Sequence, residues 1–336
     1  MNIQRIIFIP IFFLLILSSC NIFNREKTTA EGEEKKSEIP VKIPDFNADS
    51  AYYYVKKQVD FGPRVCNTKA HEKCGDFLEK KLREFCPEVI VQKGQVKAFN
   101  GTMLNLRNII GSFNPGTNNR IFLCSHWDSR PWADYDPDPA KHKTPIDGAN
   151  DGASGVGVLL EVARQLSISK PSIGIDIIFF DAEDYGPPAD ETQGEETTDW
   201  WALGSQYWAK NPHKTNYFAK YGILLDMVGA ANATFLQEAF SMNYAPAVVK
   251  LVWSTATRLG YSDYFIFEQG GMITDDHVPI NKILNIPTID IIHLDRKSKT
   301  GFFPYWHTVK DDINSIDRTT LKVVGTTLLK VIESEH

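Results

Sequence analysis

The run Ile175-Asp176-Ile177-Ile178-Phe179-Phe180 is apolar at all but one position, so it offers no polar face to water. A strand of that kind is buried on both faces, and strands so buried are usually parallel ones flanked by helices. Arg120–Ser125, Ile223–Leu225 and Thr288–Ile292 read the same way. Between and after them lie segments of helical spacing: Gly155–Leu166, Ser205–Ala209, Ala245–Leu259 and Ser315–Ile332. Upstream, Ala51, Tyr54 and Val55 mark one helix, and Phe77, Leu78 and Leu82 mark a second behind Thr68 as its cap. Val89–Ala98 and Leu104–Ser112 are extended, and Asn100-Gly101 between them signals a hairpin. The alternation predicts an α/β fold: one doubly wound, mostly parallel sheet with an antiparallel edge hairpin and helices on both faces.

The chain begins differently. Arg5 precedes the apolar stretch Ile6–Leu17, which is far short of the ~20 residues a membrane-spanning helix needs. Residues 1–19 therefore read as a signal peptide. Leu17-Ser18-Ser19-Cys20 resembles the lipobox of bacterial lipoproteins, with Cys20 as the lipidated residue. Residues 20–45 are charged and poor in aromatics, which predicts a flexible tether. The expectation is an exported bacterial lipoprotein, periplasmic or at the cell surface, anchored to the membrane through Cys20 alone. A domain at 46–336 would carry the chemistry.

A net charge of −6 without a basic stripe excludes a nucleic-acid binder. Cys66, Cys74, Cys86 and Cys124 have the spacing of no zinc ribbon or finger, and a bridge among the first three stays open. His71, His142 and His213 fall in polar segments and are expected at the surface.

Residues able to do chemistry gather where the strands end. His126 and Asp128 follow the first parallel strand, and Asp151 lies in Gly148-Ala149-Asn150-Asp151-Gly152 before the next helix. Glu183 and Asp184 leave the following strand, and Asp226 ends the one after. His293 follows the strand 288–292, with Asp275-Asp276-His277 before it and Trp306-His307 beyond. Open α/β sheets bind ligands at this carboxyl edge. Oxygen and imidazole donors without suitably spaced cysteines suit zinc with one open position, and a neighbouring carboxylate is then the natural proton shuttle.

The order His126-x-Asp128, Gly148-Ala149-Asn150-Asp151, Glu183-Asp184, Asp226, His307 resembles the zinc exopeptidase superfamily of aminopeptidases and glutaminyl cyclases. Thr274-Asp275-Asp276-His277-Val278-Pro279 and Phe302-Phe303-Pro304-Tyr305-Trp306-His307 are similar to stretches of the glutaminyl-peptide cyclotransferases in particular. The resemblance implies one zinc per chain on Asp151, Asp184 and His307, with Glu183 as general acid/base. It also implies that Asp226 and Asp275 form a supporting hydrogen-bond network, and that Phe302, Trp306 and one of Trp200 or Trp201, with Trp201 preferred, line the pocket. The animal cyclases carry Glu-Glu where this chain has Glu183-Asp184, so one ligand is a methylene shorter. The implied reaction converts the N-terminal glutamine of peptides or proteins to pyroglutamate with release of ammonia. The rival readings are a two-zinc aminopeptidase completed by His126 and Asp226, and an inactive binding domain on the same fold.

Overall fold

The computed structural model describes residues 45–191 and 198–335. Cys20, the signal segment and nearly all of the tether lie outside the described residues. Two helices come first, α1 (Ala48–Val59) and α2 (Lys69–Phe85), started by Asn47 and Thr68, whose side chains accept from the Ser50 and His71 N–H groups. The hairpin follows as β1 (Glu88–Lys97) and β2 (Met103–Phe113). The alternating part then runs β3 (Arg120–His126), α3 (Ala153–Ser169), β4 (Gly174–Phe180), α4 (Leu203–Lys210) and β5 (Gly222–Asp226). It continues with β6 (Phe235–Gln237), α5 (Ala239–Tyr244), α6 (Pro246–Arg258) and β7 (Phe265–Gln269). A short turn α7 (His277–Pro279), β8 (Thr288–Ile292) and α8 (Arg318–Glu333) complete it.

The main sheet has the order β1-β2-β4-β3-β5-β8. Strands β3, β4, β5 and β8 are parallel, and β2 is antiparallel to both β1 and β4. Successive strand residues point to opposite faces. Accordingly Ile121, Leu123, Ile175, Ile177 and Phe179 join the layer built from α1, α2, α3, α6 and α8. Phe122, Cys124, Ile178, Phe180 and Leu224 join the other, with Trp208 of α4. Both faces of the parallel strands are therefore dry, as the apolar runs require.

Asp176 is the polar exception inside β4. Its buried carboxylate receives Arg120 Nε and Nη2 at 2.8 and 2.9 Å, Ser112 Oγ at 2.6 Å and the Tyr217 hydroxyl at 2.7 Å. A charge with this many donors meets the condition for burial.

The structure closes one open point, corrects one expectation and adds elements unread from sequence. Cys66, Cys74, Cys86 and Cys124 are all buried free thiols, so no bridge forms among the first three. His71, His142 and His213 are not at the surface: His71 is buried, stacking on Trp127 at 4.2 Å and bonding Asp181 at 2.8 Å. His142 bonds the Asp136 carbonyl and His213 accepts from Trp208, both half-buried. The partners of His71 come from distant segments, which local polarity does not reveal, whereas those of His142 and His213 lie only six and five residues away. Finally, β6, β7 and α5 went unread from sequence; β6 and β7 pair with each other as a small second sheet, and Phe235 of β6 also bridges His293.

Candidate active site

The carboxyl ends of β3, β4, β5 and β8 bring the acids and imidazoles together. Asp151 immediately precedes α3, Glu183 and Asp184 follow β4, and Asp226 closes β5. Asp275 precedes α7, and His307 stands in the loop after β8. Asp151, Asp184 and His307 each offer a donor atom within 4.8 Å of the others, and all three are buried. His307 Nε2 lies 3.4 Å from Asp184 Oδ1 and 3.7 Å from Asp151 Oδ2. Asp184 Oδ2 is buried without a hydrogen-bond partner. An unpaired carboxylate oxygen beside an imidazole in a dry site suits a cation, and two carboxylates with one histidine are a donor set zinc accepts.

Further side chains hold that trio in place. Asp128 accepts the N–H groups of Glu183 at 3.0 Å and Asp184 at 3.2 Å, so one carboxylate fixes both members of the pair. Asp311 does the same for Asn150 and Asp151, at 2.8 and 3.1 Å. Arg130 spans Asp134, at 2.7 Å, and Asp184 Oδ1, at 3.1 Å. Asp134 in turn stands 3.5 Å behind His307 Nδ1, the arrangement that orients a metal-binding imidazole. Burial raises the Asp134 carboxyl, but Arg130 and His307 outweigh it and hold it well below the usual carboxylate range. Sequence reading missed Arg130, Asp134 and Asp311, since nothing local separates them from ordinary loop charges.

The backbone is strained at the same places. His307 itself, Ala182 before Glu183, Ala202 after Trp201 and Met227 after Asp226 all have left-handed φ, between 50° and 55°. Non-glycine residues reach this region at a cost and cluster where a site over-determines them. Asp181 secures one of these turns by accepting from Ala182 N, Arg107 N and His71.

His126 sits among the acids. Its Nε2 is 3.0 Å from Asp151 Oδ1 and 3.2 Å from Asp226 Oδ1, and its Nδ1 is 3.4 Å from Asp128. Burial lowers the imidazole's affinity for a proton, but its interactions with these three accepting carboxylates raise it well above the ordinary value. Gly152 makes the approach possible, since a Cβ there would come within 2.3 Å of His126 Nε2. The remaining acids shift upward. Burial, then Asp275, pushes Glu183 well above the carboxylate range. Burial, then Asp151, brings Asp226 to about 6, and burial, then Asp226, brings Asp275 to about 7. Asp290 in β8, another residue unread from sequence, is buried with a carboxylate oxygen within 4.8 Å of Asp275, and neither of its oxygens has a hydrogen-bond partner.

Glu183, Asp226, Asp275 and the trio border a cavity of about 50 Å³ that Trp201, Phe302 and Trp306 close off. Trp306 stacks on His307 at 3.7 Å, and Phe302 packs on Trp306 at 4.5 Å. Trp201, rather than Trp200, lines the cavity, its ring nearly parallel to His307 and 4.8 Å under Arg130. Gly186 admits that indole, for a Cβ there would lie 2.2 Å from the ring. A space this small takes one side-chain end and no run of peptide.

The loop carrying Asp275 is tied down by Glu238, fully buried at the start of α5. Its carboxylate accepts from Phe240 N, Ser241 N, Ser241 Oγ and Ile273 N, and pairs with His277 Nε2 at 3.1 Å. Burial raises its pKa, but the bonds from His277 and the backbone outweigh that and bring it from 4.5 down to about 2. A depressed carboxyl stabilises the fold above its unfolded pKa and loses that contribution as pH falls through the folded one. The expected result is therefore roughly 3 kcal/mol of stability present above about pH 4.5 and lost towards pH 2. Urea titrations across that window should show the decline in the native chain and a flatter profile in Glu238→Gln.

Residues 108–332 match the model of Peptidase family M28. The chain is 54% identical to the solved Bacteroides thetaiotaomicron glutaminyl cyclase bound to N-acetylhistamine, with a TM-score of 0.85. That match covers 88% of this chain and 100% of the other. It is 58% identical to a solved Zn-dependent exopeptidase from Parabacteroides distasonis, covering 87% of this chain and 99% of that one, with a TM-score of 0.84. Bovine glutaminyl-peptide cyclotransferase is 29% identical over 244 residues, which span 64% of this chain and 62% of the bovine protein. On the family match and these full-length structural likenesses, the chain belongs to Peptidase family M28, with the bacterial glutaminyl cyclases.

Proposed function

We propose that this protein is a zinc-dependent glutaminyl-peptide cyclotransferase, which closes an N-terminal glutamine onto its own γ-carboxamide and releases ammonia. The observation that carries the reading is the small cavity, in which Glu183 and Asp275 share a space with the Asp151, Asp184 and His307 donors under three aromatic rings. Such a space admits the terminal residue of a peptide and excludes bulk water, which would give glutamate instead. Asp151, Asp184 and His307 would hold zinc, one ion per chain, which when bound would supply Lewis-acid chemistry beside the γ-carbonyl.

The chain's own residues handle the protons and the geometry. Glu183 takes one proton from the attacking α-amine and gives it to the departing carboxamide nitrogen, which leaves as ammonia. Its basicity, raised by burial and by Asp275, favours taking that proton. Asp275 and Asp226 hold neighbouring protons and keep the shuttle oriented. Trp201, Phe302 and Trp306 hold the substrate side chain folded back, so that nucleophile and carbonyl meet. The substrates are peptides or proteins beginning with glutamine. We further propose that residues 1–19 are removed on export and that Cys20 carries a lipid, leaving 46–336 as a catalytic domain on a tether; the Leu17-Ser18-Ser19-Cys20 sequence supports this.

A second reading, a two-metal aminopeptidase, is favoured by one observation: His126, Asp151 and Asp226 also place donors within 4.8 Å of one another. Ammonia release separates the two. Incubated with Gln-initiated and Leu-initiated peptides, the soluble domain should release ammonia from the first and nothing from the second. Free leucine together with two tightly held zinc ions per chain would establish the aminopeptidase. Zinc binding with no release from either peptide would establish an inactive binding domain.

A further inference from the structure

A glutamine seated in a cavity of about 50 Å³ leaves the rest of its peptide outside, and that chain has to run along the surface. Trp306, which walls the cavity, also lines a larger surface groove of about 770 Å³. Lys297, Lys299 and Lys310 stand around this groove against the single carboxylate of Asp295. Among the described residues none of the three ammonium groups has a carboxylate within ion-pair distance. Lys310 lies over the Tyr305 ring at 5.6 Å, and all three lysines are exposed. By contrast the neighbouring Arg296 is neutralised by Glu268. The groove is thus locally cationic on a chain whose net charge is −6, beside a cavity rich in carboxylates.

We propose that the peptide downstream of the cyclising glutamine lies in this groove, and that Lys297, Lys299 and Lys310 select substrates with acidic residues there. The inference rests on the cyclase reading and names its substrate class. Two features support it: continuity with the cavity through Trp306, and charge complementarity with a segment the cavity is too small to hold. Exposed lysines act on such a segment as a screened field rather than as fixed pairs, so the effect falls on capture and disappears with salt. A second groove meets the cavity at Trp201 and Thr274, but it is smaller, about 350 Å³, and sets only Lys210 and Lys282 against Asp199.

The test compares kcat/KM for Gln-Ala-Glu-Glu, Gln-Ala-Ala-Ala and Gln-Ala-Lys-Lys. The native enzyme should favour the acidic over the basic peptide by about fivefold at low ionic strength. The difference should lie in KM and vanish at roughly 1 M salt, where the screening length is about 3 Å. In a Lys297→Glu, Lys299→Glu, Lys310→Glu triple variant the order should invert, an outcome that misfolding cannot produce. Equal rates for the three peptides on the native enzyme, or an unchanged order in the triple variant, would overturn the groove assignment while leaving cyclisation in place. Inversion by Lys210→Glu with Lys282→Glu instead would move the peptide to the other groove and overturn it equally. If even the neutral peptide yields no ammonia, the cyclase reading fails and this inference goes with it.

Discussion

Glu183→Gln should keep the fold and its zinc and lose turnover, by a factor on the order of 10²–10⁴, the usual contribution of a positioned acid/base. The substitution is nearly isosteric. The Glu183 N–H still reaches Asp128 at 3.0 Å, and Asp184 keeps its own bond to the same carboxylate at 3.2 Å, so the metal donors are undisturbed. What disappears is the ability to take and return a proton in a space where burial and Asp275 had made that carboxylate unusually basic. Ammonia release and metal content measured on the same sample decide the matter. Activity within a few-fold of native with zinc retained would assign the shuttle elsewhere, Asp275 being the next candidate at about 7.

The second large effect concerns the donors. His307→Ala should lose stoichiometric zinc and with it detectable turnover, because two carboxylates alone leave the site short of the three protein ligands a catalytic zinc needs. Asp134→Ala is the informative companion. Asp134 lies 3.5 Å from His307 Nδ1 and binds Arg130, and so acts on the imidazole from behind. Its removal should weaken zinc binding by about 10–100-fold without abolishing it. Competition against a chelator of known affinity measures both. Full zinc occupancy in His307→Ala at nanomolar metal would place the ion on other donors, the His126, Asp151 and Asp226 group first among them.

The sequence carried the architecture unevenly. Ile175–Phe180 and its companions were legible because burial on both faces leaves no polar alternation, and the Thr68 cap and Asn100-Gly101 turn are local devices that act within a few residues. Asp151, Glu183, Asp184 and Asp226 could be placed near strand ends, among several other acids and histidines, because those ends are countable in the chain; their roles, and that of His307 beyond the last strand, came from the family resemblance. Four other residues could not. Arg130 reaches Asp184 across 54 positions, Asp311 reaches Asp151 across 160, Asp134 meets His307 only in space, and Asp290 hides in the middle of β8. Trp201 was separable from Trp200 only once the loop placed one of them over Gly186 and beside His307. His71 reads as a solvated residue of α2 until Asp181 and Trp127 close around it. Patterns that repeat along a chain are visible in it; contacts that depend on which loops meet are not.

The reaction proposed for the cavity closes a terminal glutamine on itself rather than cutting the peptide bond beyond it. Mass spectrometry of a Gln-initiated peptide after incubation with the zinc-loaded enzyme tests this most directly. Cyclisation predicts a product lighter by one ammonia with every residue retained. Free glutamine and a peptide shortened by one residue would contradict it.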